Sequence, residues 1–95
     1  MAISKIPGKT QIRTVQNAVS ISANGRANFN LKTLIDVDLP SGYRYGGLAG
    51  YDTGNVYVFA IAVRYRDTDY SMHLKNTSSS ALTLTASVDY IAIAE

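Results

Sequence analysis

Residues 19–31 read VSISANGRANFNL. Val19, Ile21 and Ala23 alternate with Ser20 and Ser22, and after Asn24-Gly25 the alternation resumes as Ala27, Phe29 and Leu31 against Asn28 and Asn30. A side-chain period of two marks a strand with one face in a core and the other in water. Asn-Gly supplies the left-handed backbone that a tight hairpin turn needs. The stretch therefore predicts a β-hairpin, and it sets the period in which the rest of the chain is read.

Downstream, Ile35, Val37 and Leu39 alternate with Asp36 and Asp38 up to Pro40-Ser41-Gly42, where proline stops pairing and glycine permits a turn. Residues 43–51 (YRYGGLAGY) follow as a glycine-rich strand, and Asp52-Thr53-Gly54-Asn55 forms the next turn. The stretch 56–65 begins VYVFAIAV, apolar on both faces, which predicts a central strand covered on both sides. Asp67-Thr68-Asp69 turns the chain into Tyr70, Met72 and Leu74. Residues 76–80 (NTSSS) turn it again into Leu82, Leu84, Ala86, Val88 and Tyr90, which alternate with Thr83, Thr85, Ser87 and Asp89. Six to seven strands with turns at short intervals predict an all-β domain, an antiparallel β-sandwich of jelly-roll type with no helix. Residues 1–17 alternate weakly and are interrupted by Pro7-Gly8, so they read as an N-terminal arm or linker, and residues 18–95 as the head domain.

A chain of 95 residues supports one core and leaves no room for a separate catalytic domain. Apolar residues make up 46% of it, enough to fill that core. The nine basic residues are scattered and the formal charge is only +2, which argues against a nucleic-acid face. With no cysteine there is neither a disulfide framework nor a thiolate metal site. The apolar run at 56–63 falls far short of the ~20 residues of a membrane helix, so no membrane insertion is expected. The opening MAISKIPGKTQIRT lacks the apolar stretch of a signal peptide.

Catalytic chemistry finds little to work with. His73 is the only histidine and lies opposite the apolar set of its strand, where a solvated side chain is the plain reading. Asp36 with Asp38, and Asp67 with Asp69, pair carboxylates without further ligands at a recognisable spacing, so they read as a polar strand face and as turn formers. The glycines at 46, 47 and 50 lack the lysine and the following helix of a phosphate loop. No enzyme active site, metal or cofactor is expected.

Seven tyrosines are the compositional excess. Tyrosine suits recognition because it joins broad apolar area to a hydroxyl with few rotors. Tyr43, Tyr45, Tyr57, Tyr70 and Tyr90 fall at core-facing or subunit-facing parity, whereas Tyr51 and Tyr65 abut polar turns. Arg44, Arg64 and Arg66 stand beside tyrosines, as forks for an anionic sugar or as partners of Asp67, Asp69 or Asp89. The candidate ligand-binding residues at strand ends are Tyr51, Asp52, Asn55, Tyr65 and Arg66.

The order of these elements resembles a family over residues 19–93. A Ser-rich strand closes on Asn-Gly; then come SGYRYGGLAGYDTGN at 41–55, an aromatic and valine-rich strand, YSMHLKNTSSSA at 70–81, and LTLTASVDYIAI at 82–93. Gly42-Tyr43, Gly50-Tyr51, the Asn76-Thr77-Ser78-Ser79 turn and the Tyr90 strand are similar to features of the C-terminal head domains of phage tail fibres and receptor-binding tail proteins. Arg44-Tyr45 stands where those domains commonly carry Lys-Pro. The resemblance implies a homotrimeric, non-catalytic head at the virion fibre tip that contacts a bacterial cell-surface glycan or protein. Two other readings stay open: a structural virion domain that binds no receptor, and a free-standing carbohydrate-binding, lectin-like module.

Overall fold

The structure, a computed structural model, describes residues 9–66 and 69–95, with the backbone alone at 64–66 and 69. The chain is mostly strand. It runs β1 (Thr10–Ile21), β2 (Arg26–Asn30), α1 (Leu31–Asp38), β3 (Tyr43–Asp52), β4 (Val58–Arg66), β5 (Asp69–Asn76) and β6 (Leu82–Ala94). The strands form two antiparallel three-stranded sheets, ordered β1-β6-β3 and β2-β5-β4.

The clearest alternation in the sequence is realised in β6. Ala86, Val88, Tyr90 and Ala92 are buried, and their neighbours face outward in register with β1. Opposite them, Met72 and Leu74 of β5 and Val58 of β4 complete one core with Val15, Val19 and Ile21 of β1. Tyr45 stacks tilted on Tyr70 at 5.2 Å and on Tyr90 at 6.1 Å, so three tyrosines expected at core parity tie β3, β5 and β6 together across the sheets. On the outer face of the first sheet, Thr14 Oγ1 donates to Asp89 Oδ1 at 2.7 Å and Ser20 pairs with Thr83 at 3.2 Å.

Four expectations are corrected. The Asn24-Gly25 turn does form, with Asn24 at φ +55°, but it makes no hairpin: β1 pairs with β6 and β2 with β5, so the turn carries the chain from one sheet to the other. The strand expected at 35–39 is helix α1. Leu31 and Ile35 at i, i+4 are buried, Val37 is 84% exposed, Asn30 caps the helix by accepting from the Thr33 amide, and Lys32 pairs with Asp36 one turn on. The stretch 56–65 is not central. Its strand starts at Val58 and is the edge of its sheet, with Phe59, Ile61 and Val63 exposed. Finally, β1 pairs continuously with β6 from Thr10↔Ile93 to Ile21↔Leu82, so the boundary expected at residue 17 falls inside a strand. Residues 1–8, and the turn expected at Asp67-Thr68, lie outside the described residues.

Glycine in β3 serves close approach rather than a loop. A Cβ at Gly46 would lie 2.5 Å from Ile93 Cδ1 and 3.2 Å from the Ile91 carbonyl oxygen, and Gly47 takes φ +131° where the β3–β6 register shifts.

Three short connections, 22–25, 53–57 and 77–81, each join a strand of the first sheet to a strand of the second, and all three lie at the same end. We call it the crossover end. Asn76, fully buried, holds two of the three together. Its Nδ2 donates to the carbonyls of Ser80 (2.8 Å), Ser22 (3.1 Å) and Ile21 (3.2 Å), its Oδ1 accepts from the Ser78 amide, and its own amide donates to Gly25. Truncating this side chain leaves the buried Ile21 carbonyl without its donor and frees those of Ser22 and Ser80. Asn76→Ala is expected to lower the unfolding free energy by about 2–4 kcal/mol, and Asn76→Asp by at least as much, because a carboxylate cannot donate. Urea titration followed by far-UV circular dichroism checks both.

Candidate functional site

The crossover end is built from polar side chains that shape backbone. Asp52 Oδ1 accepts from the Gly54 amide at 2.8 Å, and Asn55 Oδ1 accepts from the Tyr57 amide at 2.8 Å. Each is an Asx-type turn. The hydroxyl of buried Thr53 lies 3.0 Å from the carbonyl oxygens of both Asn55 and Val58. The next loop leans on this one: Thr77 donates to the Tyr57 carbonyl oxygen through its amide (2.8 Å) and its hydroxyl (2.7 Å). Asn24 donates its amide to the Ser78 carbonyl, which brings in the third connection.

Between the second and third of these loops lies a cleft of about 500 Å³ lined by Tyr57, Thr77, Ser78, Ser79, Ser80 and Leu82. Tyr57 is 54% exposed. Of the core-facing or subunit-facing place expected for it, the core-facing one is corrected: it belongs to the turn before β4, not to the strand. Ser78 Oγ donates to the Ser80 carbonyl and accepts from the Ser80 amide, which fixes the rim. Among the described residues no charged side chain lines the cleft. An exposed aromatic face beside a row of hydroxyls is suited to an uncharged polyhydroxylated ligand, whose ring CH groups cover the aromatic while its hydroxyls exchange hydrogen bonds with serine and threonine.

The five residues singled out in the sequence do not converge. Tyr51, Asp52 and Asn55 stand at the crossover end. Tyr65 and Arg66 pair with Tyr70 and Asp69 at the opposite end of β4, and at ~3.3 Å per residue the length of that strand, more than 20 Å, separates the two groups. The side chains of Tyr65 and Arg66 lie outside the described residues. Asp52 and Asn55 spend one side-chain oxygen each on the turn, and the Tyr51 hydroxyl accepts from the Ala60 amide at 3.4 Å. Sequence reading missed Tyr57, Ser79 and Ser80. The signal was present as a tyrosine next to one turn and a serine run in another, but parity placed the tyrosine inward and nothing local said that the two turns meet.

A second cleft, of about 440 Å³, lies between β1 and α1 and is lined by Thr14, Val15, Gln16, Leu34, Val37 and Asp38. Its carboxylate is already committed. Asp38 Oδ2 accepts from Arg13 Nε at 2.8 Å and from the Tyr90 hydroxyl at 2.6 Å, so the cluster clamps the end of the helix to β1 and β6. Asp36 on the same helix turns away to Lys32, which leaves no carboxylate pair. His73 sits on the outer face of β5 with Nε2 3.5 Å from Ser71 Oγ. Among the described residues no group of three His, Cys, Asp or Glu side chains is placed to hold a metal, and no helix is long and apolar enough to cross a membrane. No protein-family model, curated protein or solved structure matches the chain.

The clamp makes stability depend on pH at both extremes. The Arg13 guanidinium first, and then the Tyr90 hydroxyl, hold the Asp38 carboxyl below its ordinary 3.8. That contribution is present above the ordinary value and is lost as pH falls through the depressed one. Burial first, and then the Asp38 hydrogen bond, push the Tyr90 hydroxyl from 10.0 up to about 12. That contribution is complete below 10.0 and is lost as pH rises toward about 12. Tyr90→Phe is expected to cost about 1–2 kcal/mol near neutral pH and to flatten the alkaline limb relative to the parent; Asp38→Asn should flatten the acid limb. Unfolding free energies measured across the pH range check both slopes.

Proposed function

We propose that this chain is the receptor-binding head of a phage tail fibre: a homotrimeric, non-catalytic β-sandwich of jelly-roll type that acts outside the cell at the virion tip. Its ligand is a bacterial cell-surface glycan. The observation that carries the reading is the uncharged cleft at the crossover end, where exposed Tyr57 faces Thr77, Ser78, Ser79 and Ser80. The resemblance of 41–55, 70–81 and 82–93 to tail-fibre heads supports the same assignment, and 70–81 supplies Thr77, Ser78, Ser79 and Ser80 of the cleft. Tyr51, Asp52 and Asn55 border this end and set the backbone on which Tyr57 stands. Binding at the ends of strands is also where a rigid β-scaffold commonly presents ligand contacts.

A sugar ring stacked on Tyr57 contributes about 1–1.5 kcal/mol beyond its buried area, so removal of the ring is expected to weaken binding by roughly tenfold. The test is Tyr57→Ala and Ser79→Ala with Ser80→Ala, assayed as labelled chain on bacterial cells and on an array of bacterial surface polysaccharides. Loss of signal with unchanged circular dichroism is the expected result. Arg66→Ala, at the far end of β4, should leave binding within about twofold of the parent. Binding by the parent that survives both cleft variants moves the site elsewhere. No binding to any cell or glycan, with the trimer intact, would favour a structural virion domain, and glycan binding by a monomer would favour a free-standing lectin-like module.

A further inference from the structure

The basic residues are scattered along the chain but not over the fold. The strands of the second sheet, RANFN, VFAIAVRYR and DYSMHLKN, carry four of the nine Lys and Arg residues and one of the seven acids, so this sheet at +3 exceeds the +2 of the whole chain. Met72 and Leu74 of β5 are buried, which turns Ser71, His73 and Lys75 to the outer face. Arg26 of β2 lies opposite Lys75 on one side and Phe59 of β4 lies opposite it on the other, so Arg26, Lys75 and Phe59 stand abreast on that face. The pairing of Phe59 precedes the register shift of β4, which falls between Ala60 and Ala62. Arg26 is exposed, and Phe59 is 50% exposed.

Two cations directly opposite one another on a sheet repel and lower stability. Among the described residues no carboxylate answers them. The ion pairs there are Arg13–Asp38 and Lys32–Asp36, and neither Arg26 nor Lys75 takes part in one. Asp69, the one acid of the sheet, pairs with Arg66 at the far end of β5, ~20 Å from Lys75 at ~3.3 Å per residue. Lys75 Nζ donates to the Asn24 carbonyl, toward the β2 side of the sheet and away from Phe59. Asn24 also ties the ammonium to the cleft, because its amide donates to the carbonyl oxygen of Ser78, which lines the cleft wall. A pair of cations with an exposed aromatic on the next strand, one residue away from a hydroxyl-lined cleft, is complementary to a sugar that carries negative charge.

We infer that this row extends the cleft and that the ligand is an acidic polysaccharide whose sugar rings bear carboxylate. The inference rests on the glycan-binding reading above and names the chemistry of the ligand. A ring stacked on Phe59 holds a carboxylate borne directly on it about one strand spacing, ~4.8 Å, away, between the Lys75 ammonium and the Arg26 guanidinium, both of which donate to it. The cleft at Tyr57, uncharged among the described residues, takes a neutral part of the same polymer.

Calorimetry of the full chain with alginate, hyaluronan and polygalacturonate, each beside its carboxyl-reduced form, tests the assignment. At least one acidic polymer should bind about tenfold more tightly than its reduced form, and more weakly as sodium chloride is raised. Arg26→Gln and Lys75→Gln should each weaken that binding about tenfold and leave the reduced form unaffected. Arg26→Gln also removes the like-charge contact from an exposed site, so its melting temperature should equal or exceed that of the parent, and it carries the test even where Lys75→Gln does not fold. Phe59→Ala should weaken both forms, and inorganic polyphosphate supplies charge without a ring. The inference is overturned by equal binding of acidic and reduced forms, by acidic binding unchanged in Arg26→Gln, by polyphosphate bound as tightly as the polyuronates, or by no acidic polymer bound at all. Tyr57→Ala separates this from the reading it rests on. Neutral polysaccharide binding lost in Tyr57→Ala but intact in Arg26→Gln and Lys75→Gln, with no preference for carboxylate, keeps the cleft and overturns the row. Acidic binding that survives Tyr57→Ala and is lost in Arg26→Gln supports the row and moves the glycan site away from the cleft.

Discussion

One buried amide governs how the two sheets meet. Asn76 ends β5, and its side chain reaches the last residue of β1, the start of the 22–25 connection and the far side of the 77–81 connection. An amide nitrogen has two hydrogens and here faces three carbonyl oxygens, so one hydrogen is shared. No apolar or shorter side chain meets that demand. With β1, β5 and the start of β6 held at one point, β2 follows β1 and β4 follows β3 into the second sheet, and the order β1-β6-β3 is repeated as β2-β5-β4. The loops at this end then have little freedom left, which is what a site assembled from turns requires.

The opposite end is held by different physics. There α1 packs on β5 and β1, Leu31 and Ile35 fill the core beneath it, and Asp38 ties its last turn to Arg13 and Tyr90. The partly exposed Arg13–Asp38 pair adds little by itself, but the buried Tyr90 hydroxyl has Asp38 as its partner and would be left dry without it. The helix thus covers the part of the core that two small sheets leave open. A neutral hydrogen-bonded amide at one end and an ion-linked phenol at the other give the domain two poles with different sensitivity to pH.

What could be read from the sequence divides along the same lines. Alternation in β6 and β5 is unambiguous because burial there is one-sided, and it carried the all-β class and the inward tyrosines 70 and 90. Residues 31–39 satisfy two periods at once: Ile35, Val37 and Leu39 alternate, while Leu31, Leu34 and Ile35 recur at helical spacing. The Asn30 cap and the Lys32–Asp36 spacing were the deciding signals, and both favour the helix. An Asn-Gly turn is a local statement about backbone and carries no information on which strand lies beside which, so the sheet crossing was invisible. The run at 56–63 shows the limit of pattern: apolar on both faces describes a strand covered twice and equally an edge left uncovered within one chain. Tyr51 and Tyr65 both adjoin turns, but in an antiparallel sheet those turns belong to opposite ends, and a list of strand-end residues does not sort itself by end.

The two unassigned surfaces of the domain are close in sequence and opposed in chemistry. Tyr57 lines the hydroxyl-rich cleft, and two residues later Phe59 stands exposed on edge strand β4. A shallow cleft lined by uncharged groups would hold a sugar weakly, with few contacts to offset the ordering cost of binding. Under the proposed reading the ligand would repeat at high density on a cell surface, and several such domains acting together could then bind with an avidity that exceeds the single-site affinity by ~10²–10⁴ without any new contact.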